Sequence, residues 1–359
     1  MHGYIDSFPV PMHLPTSSAP APSKSKGKGK EKHQQQGQGQ PKVEVYDIVA
    51  NWTAQEKDDV ERKVAMASRL GYSTVILTVS ILATTNPASL VFPTPLLPAI
   101  DPRTAPKGTS GLVLQLWKIH VQEYTDEHIK SASVKGYYGF SNSTASLFPA
   151  STTLLSVTPT SLTSFSHVAL SLSPPSPFAP TLITLDPSLS PRLPFPLKRG
   201  LVNTLQRAGV VFEIILRGMT KQDEPGAAGG AASRRRNWIA GAREVVRATG
   251  GKGVVISSGA VKAGEMRGTE DLINLCSLIG LTPSQAKDAL TLTPQRAILR
   301  GLAMRQTYRG VISNPTLITT TPTASSSTTA GAKRTAAELE FEGSNGGAEG
   351  GKRRKSAAA

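Results

Sequence analysis

Cysteine is almost absent from the 359 residues: Cys276 stands alone, inside the apolar helical pattern "LINLCSLIG". One thiol excludes a disulfide framework and suits a reducing compartment. A single cysteine among leucines reads as packing rather than as a nucleophile. No run of about 18 apolar residues occurs, so no membrane span is expected. The N-terminus lacks the basic-then-apolar order of a secretory leader, so secretion is not expected either. Histidine is scarce as well. His2, His13, His33, His120, His128 and His167 are the full set, no His-x-His is present, and none follows residue 167. A metal-dependent phosphoesterase on a strand-and-helix barrel needs several imidazole and carboxylate ligands at strand ends. A polyhistidine metal centre is therefore all but excluded, and no metal or other cofactor is expected. Missing too are a G-x-S-x-G nucleophile elbow with a following histidine, a G-x-x-x-x-G-K-[ST] loop, and a G-x-G-x-x-G turn between strand and helix. The "GKGK" at 27–30 is low-complexity sequence, and no phosphate loop is read into it. Acidic residues are the minority charge: 25 against 40 Lys and Arg, a formal net charge of +15. Such an excess points to a polyanionic partner such as nucleic acid, or else to basic flexible tails.

What is present falls into three parts: a head over 1–42, a folded domain over 43–315 and a tail over 316–359. The head carries "SKSKGKGKEKHQQQGQGQPK", which has no apolar residue to bury and is expected to be disordered. Its lysines supply sequence-independent attraction to phosphates. Ahead of that tract, "MHGYIDSFPVPMHLP" is proline-rich with a few apolar residues and has no evident docking place. The tail is rich in Ser, Thr, Ala and Gly and carries the basic clusters "KR" at 333–334 and "KRRK" at 352–355.

Between the tails, strand and helix patterns alternate. Strands are expected at 43–51, 73–81, 111–121, 151–160, 181–188, 210–216 and 253–260, with a possible closing strand at 309–313. Helices are expected at 53–71, 200–209, 234–250, 268–280 and from Ser284. The first helix is marked by Thr53 as N-cap, Glu56 at the capping-box position and Gly71 as stop. Short apolar strands separated by helices indicate βα units and a parallel sheet buried on both faces. The number and the length suit a TIM-like (β/α) barrel of α/β class, with a doubly wound open sheet as the rival.

In such a barrel, chemistry sits at the carboxyl ends of strands. Those positions here include Asn51, His120, Thr158, Asp186, Glu213, Ser257 and Ser258. Asp186 and Glu213 form a conceivable acid–base pair, although a lone carboxylate at a strand end more often bonds loop amides. Glu213 interrupts the apolar strand "VVFEIIL" and calls for a cationic partner, an inward-facing Arg or Lys. No complete catalytic set emerges. Basic residues instead gather at loops and element ends: Lys198, Arg199, Arg234, Arg235, Arg236, Lys262 and Arg267, then Arg300, Arg305 and Arg309 near the end of the fold. Such positions suit phosphate contacts that hold RNA without reading bases, and equally suit a solvated basic rim.

"RLPFPLKRGLVNTLQRAGVVFEI" (192–214), followed by "GVVISSGA" and "MRGTEDLINLCSLIGLTPSQAKDAL", closely resembles the thirty-kilodalton protein subunit of ribonuclease P and RNase MRP, in its eukaryotic nuclear form. "YDIVAN" with its helix, "LLSVTP" and "LITLDPS" follow the same family in order, so the resemblance covers most of 45–312 and neither tail. The matching motif positions are Lys198, Arg199, Asn203, Glu213, Ser257, Ser258, Arg267, Gly268 and Asp271. Gly200 and Thr269 stand where proline is common in the family, and the Ser/Thr/Pro-rich stretch at 141–180 is unusual for it. The resemblance implies a TIM-like barrel related to metal phosphoesterases but without their metal centre. It also implies a non-catalytic role: the RNA subunit cleaves precursor tRNA, and the protein holds that RNA. Implied partners are the ribonuclease P or MRP RNA, a small α/β partner subunit, other protein subunits, and precursor tRNA within the complex. Processing of tRNA and rRNA would place the chain in the nucleus and nucleolus, where the basic tail clusters suit an import signal. The alternatives are a metal-dependent phosphoesterase and a pure protein-interaction scaffold.

Overall fold

The computed structural model describes residues 3–13, 46–83, 85, 90–135, 152–176, 179–221, 230–308 and 312–313. Its elements, in chain order, begin with β1 (Tyr4–Pro9), β2 (Tyr46–Asp47), α1 (Ala54–Arg69), β3 (Tyr72–Leu82), β4 (Leu90–Val91), β5 (Leu114–Tyr124) and α2 (Asp126–Lys135). Next come β6 (Thr152–Pro159), α3 (Leu162–His167) with a π-helical turn at Val168–Leu172, β7 (Leu182–Leu185), α4 (Arg199–Arg207), β8 (Val211–Ile215) and α5 (Arg217–Thr220). The described part closes with α6 (Ala231–Thr249), β9 (Val254–Ser257), a 3-10 turn at Ala263–Glu265, α7 (Thr269–Leu278), α8 (Pro283–Leu290), α9 (Leu292–Gln306), β10 (Thr307–Tyr308) and β11 (Ile312–Ser313). Among the described residues no helix is long and apolar enough to cross a membrane.

Seven strands form one sheet in the order β1-β3-β5-β6-β7-β8-β9, with every neighbouring pair parallel. The two end strands then meet. Gly259 N donates to Ser7 O at 3.0 Å, and Ser258 N to Asp6 Oδ1 at 2.7 Å. The result is a TIM-like barrel of seven strands, not the open doubly wound sheet.

The strand count agrees with expectation, but the first strand does not. It comes from Tyr4–Pro9, where Ile5, Asp6, Ser7 and Phe8 are all buried. The head boundary at 42 therefore fails for residues 3–13. The next few residues are also held: Lys63 Nζ donates to Pro9 O at 2.6 Å and Trp52 Nε1 to Pro11 O at 3.0 Å, while His13 pairs with Glu56 at 2.7 Å. Of the strand expected at 43–51, the part among the described residues forms a strand only at Tyr46–Asp47, and it pairs with β4 in a satellite sheet outside the barrel. The closing strand expected at 309–313 reduces, among the described residues, to β11, which pairs antiparallel with β10. Residues 14–45, 136–151 and 314–359 lie outside the described residues, and with them the lysine-rich tract and the basic tail clusters.

Helix signals hold well. Thr53 caps α1 in a full capping box with Glu56, and Gly71 stops it at φ 87°. Helix α9 was not expected; it packs below the barrel and supplies Ala297 and Ile298 to the lumen cluster. Its Gly301 is there because a Cβ would come 2.2 Å from Thr153 O. Cys276 is buried in α7, and burial pushes its thiol up to about 12, consistent with packing.

Candidate functional site

Strand residues two apart point to the same side, so the lumen can be read tier by tier. Each strand gives the floor one aliphatic side chain: Ile5, Ile76, Leu116, Leu154, Leu182, Val211 and Val255. Two residues further along every strand the chemistry changes. That tier is Ser7, Thr78, Lys118, Ser156, Thr184, Glu213 and Ser257, all buried and all polar. Two residues further again lies the mouth, with Pro9, Ser80, His120, Asp186, Ile215 and Gly259 lining one cavity of about 180 Å³. An adjoining cavity of about 390 Å³ shares His120, Thr184 and Asp186 and extends over Glu123, Thr158 and Leu189.

Five of the seven residues of the polar tier are linked to one another: Ser7, Thr78, Lys118, Thr184 and Glu213. Lys118 Nζ donates to Glu213 Oε1 at 2.6 Å, to Oε2 at 2.8 Å and to Ser7 Oγ at 2.7 Å. Thr184 Oγ1 donates to Glu213 Oε2 at 2.6 Å, and Ser7 Oγ is bonded to Thr78 Oγ1 at 2.9 Å. The partner that Glu213 called for is thus Lys118, whose side chain is 3% exposed against 1% for the carboxylate. Burial pushes the Glu213 carboxyl up, but the Lys118 charge and the hydrogen bonds outweigh it, and the net direction is down. Above the pair, His120 is bonded to Ser156 Oγ at 2.8 Å, and burial with the Lys118 charge lowers it to about 4, so it is neutral at neutral pH. Asp6 behaves oppositely. Burial raises it despite the amide bonds from Ser258 and Ser7, and its Oδ2 has no hydrogen-bond partner among the described residues. Among the described residues no three His, Cys, Asp or Glu side chains are grouped to hold a metal.

Asp186 and Glu213 do not form an acid–base pair by direct contact. Asp186 Oδ1 accepts from Ser188 N at 3.0 Å and Ser188 Oγ at 2.6 Å, the loop-amide role of a strand-end carboxylate. Asn51, expected at a strand end, sits exposed in a turn. Ser257 and Ser258 are each 1% exposed at the closure of the barrel.

Every basic residue singled out at 198–267 follows a strand's carboxyl end, so the topology puts all seven on the mouth side. Lys198 and Arg199 are exposed at the start of α4. Arg234, Arg235 and Arg236 lie near the start of α6; Arg234 and Arg235 donate to Lys221 O and Met219 O, and Arg236 to Ser233 Oγ. Lys262 and Arg267 flank the 3-10 turn, and both are exposed. Asn203 and Asp271 are exposed on α4 and α7, and Gly268 is the N-cap of α7. Arg300 does not join the rim: it donates to Pro180 O at 2.8 Å and Ser173 O at 3.3 Å, tying α9 to the chain beneath the barrel. Arg305 is also partly buried, and Arg309 lies outside the described residues.

Sequence reasoning missed three mouth cations or their neighbours. Arg217 lines the smaller cavity. Lys63 is 3% exposed, reaches over the Phe8 ring at 4.9 Å, and is lowered to about 8 by burial. Lys118 itself was legible as a lysine interrupting "LQLWKIHV", two residues before His120 and hence on its face.

Three comparisons bear on this arrangement. The family model described as RNase P subunit p30 matches residues 43–306. The mouse Ribonuclease P protein subunit p30 is 32% identical over 126 residues, 35% of this chain and 43% of the mouse protein. The Probable ribonuclease P protein subunit 3 of Schizosaccharomyces pombe is 34% identical over 80 residues, 22% of this chain and 34% of that one. The matched stretches thus span less than half of these relatives' own lengths. A chain of a cryo-EM structure of archaeal Ribonuclease P with mature tRNA aligns with a TM-score of 0.47 at 12% identity, covering 72% of this chain and 94% of that chain.

Proposed function

The chain belongs to the RNase P subunit p30 family, and from that premise we propose that it is a non-catalytic protein subunit of ribonuclease P and RNase MRP. It supports the RNA subunit in maturing the 5′ ends of precursor tRNA and in processing rRNA. The observation that carries this reading is the buried ion pair within the polar tier. In the place where a barrel enzyme keeps its reactive groups, the Lys118 ammonium and the Glu213 carboxylate satisfy each other with Ser7 and Thr184. Both oxygens of the Glu213 carboxylate are occupied by two buried donors, Lys118 and Thr184, so neither charge of the pair is free to reach a substrate.

The basic rim supports an RNA-holding role. Lys198, Arg199, Arg234, Arg235, Arg236, Lys262 and Arg267 present cations around the mouth with no aromatic platform among them, which suits backbone contacts of low sequence specificity. The remaining partners are the small α/β subunit and the other proteins of the holoenzyme. The location is the nucleus and nucleolus, with the clusters at 333–334 and 352–355 as the import signal.

The test is reconstitution with the RNA subunit, with and without the small partner. Lys198→Ala with Arg199→Ala is expected to weaken assembly and to flatten its salt dependence by about two charges, with the fold unchanged. Normal assembly with an unchanged salt slope contradicts the reading. The chain alone is expected to show no phosphoesterase turnover; turnover coupled to one or two tightly held zinc or manganese ions favours the enzyme alternative.

A further inference from the structure

The larger mouth cavity has two unlike walls. One is apolar, from Leu189, Leu193, Pro194 and Ile215; the other is polar, from Glu123, Thr158 and Asp186 among others. Leu189 is 82% exposed, an extreme for a large aliphatic side chain in this structure, and it stands at the cavity's edge. Glu123 is the one non-glycine residue with positive φ, at 49°, among the described residues. It sits where the pairing of β5 with β6 shifts register between Val121 and Tyr124, so the strand bulges at its end. Bulges at barrel rims re-aim side chains, and left-handed residues concentrate at binding sites. Here the bulge brings Glu123 to the cavity wall, and its carboxylate accepts no hydrogen bond from any described residue. Asp186 Oδ2 is likewise open, since both of its bonds reach Oδ1.

We propose that this cavity receives a single unpaired guanine base of a bound RNA, its flat face on Leu189, Leu193 and Pro194 and its hydrogen-bonding edge on the carboxylate of Glu123. The proposal rests on the reading of the chain as an RNA-holding subunit. A ligand with one apolar face and a donor-bearing edge fits the two walls, and a volume of about 390 Å³ accommodates a base with its sugar. Charge settles the orientation. Two carboxylates inside the cavity repel phosphate, whereas Lys198 and Arg199 stand exposed a few residues beyond Pro194. The backbone therefore runs over the rim and the base turns inward. Guanine alone offers two parallel N–H donors, at N1 and the exocyclic N2, to one carboxylate. Uracil offers a single N–H between two carbonyls that the carboxylate repels. Adenine and cytosine place an acceptor beside their amino group.

The experiment titrates the full chain separately with guanosine, cytidine and uridine 5′-monophosphates, followed by calorimetry and by the imidazole resonances of His120. The guanosine nucleotide is expected to bind on the order of tenfold more tightly than the uridine one, as for a bidentate base contact. Glu123→Gln, at an exposed position, is expected to abolish the preference while leaving the circular dichroism unchanged; Asp186→Asn reduces it less. Equal affinity for the guanosine and uridine nucleotides overturns the proposal, as does a preference that survives Glu123→Gln. Tighter binding of an arginine-bearing peptide than of any nucleotide also overturns it and assigns the mouth to a protein. If the chain enters the holoenzyme but shows no nucleotide preference, the mouth assignment falls and the subunit reading stands. If it prefers guanosine monophosphate but fails to assemble, the subunit reading falls and the mouth site stands.

Discussion

The floor of the barrel and the tier above it are two residues apart on every strand, yet they are held by opposite physics. Seven aliphatic side chains, sealed from below by Ala297 and Ile298, make the floor. Such a layer demands volume and tolerates identity. The tier above demands particular donors and acceptors, since a buried charge is stable only while each partner remains. One region is therefore sensitive to cavities and the other to the loss of a single hydrogen-bonding group.

The most severe way to expose that difference is Lys118→Met. It is expected to destabilise the fold by about 3–5 kcal/mol, because the Glu213 carboxylate is left buried without its ion pair. Adding Glu213→Leu to the same chain is expected to restore most of the loss, measured by denaturant unfolding. A double variant as unstable as the single one would place the penalty in packing and erase the distinction. In the floor, Leu154→Ala, at a residue 0% exposed, is expected to cost about 3 kcal/mol through the cavity it leaves. No second polar substitution should rescue it.

Acid separates the regions more gently. His120 is lowered to about 4 from 6.5, so the folded state favours the neutral ring. Its contribution is fully present above pH 6.5 and is lost as the pH falls through 4, amounting to up to about 3 kcal/mol. Glu213, also lowered, adds to the loss at more acid pH, while Asp6, raised, opposes it because its protonated form is favoured on folding. His120→Gln is expected to flatten the decline between pH 6.5 and 4, and Leu154→Ala to shift the whole curve down without changing its shape.

Much of this contrast could be read from the chain itself. The strands at 73–81, 111–121 and 210–216 announce themselves by predominantly apolar runs, and Glu213 announces the need for a cation by interrupting one. His120, Thr158 and Asp186 were legible as strand ends and do line the mouth. The first strand was hidden because "YIDSF" is short and is cut off from the rest by the low-complexity tract, so no alternation of strand and helix frames it. Helix α9 was missed because its amphipathic signal is weak: it faces the lumen floor with Ala297 and Ile298 but also leaves Leu299 58% exposed. The bulge at Glu123 has no signature at all, since nothing in "VQEYTD" demands a positive φ.

The pairing of Asp6 with Ser258 joins groups 252 residues apart. On a ribosome adding about 5–20 residues per second, roughly 10–50 s separate the emergence of the two. During that interval the first strand waits with an unpaired edge and a hydrated Asp6, while the later strands are added one at a time. Birth order and spatial order coincide around the ring, so each new strand has its neighbour ready. Only the last has to find the first, and the seam where they meet is the youngest contact of the barrel.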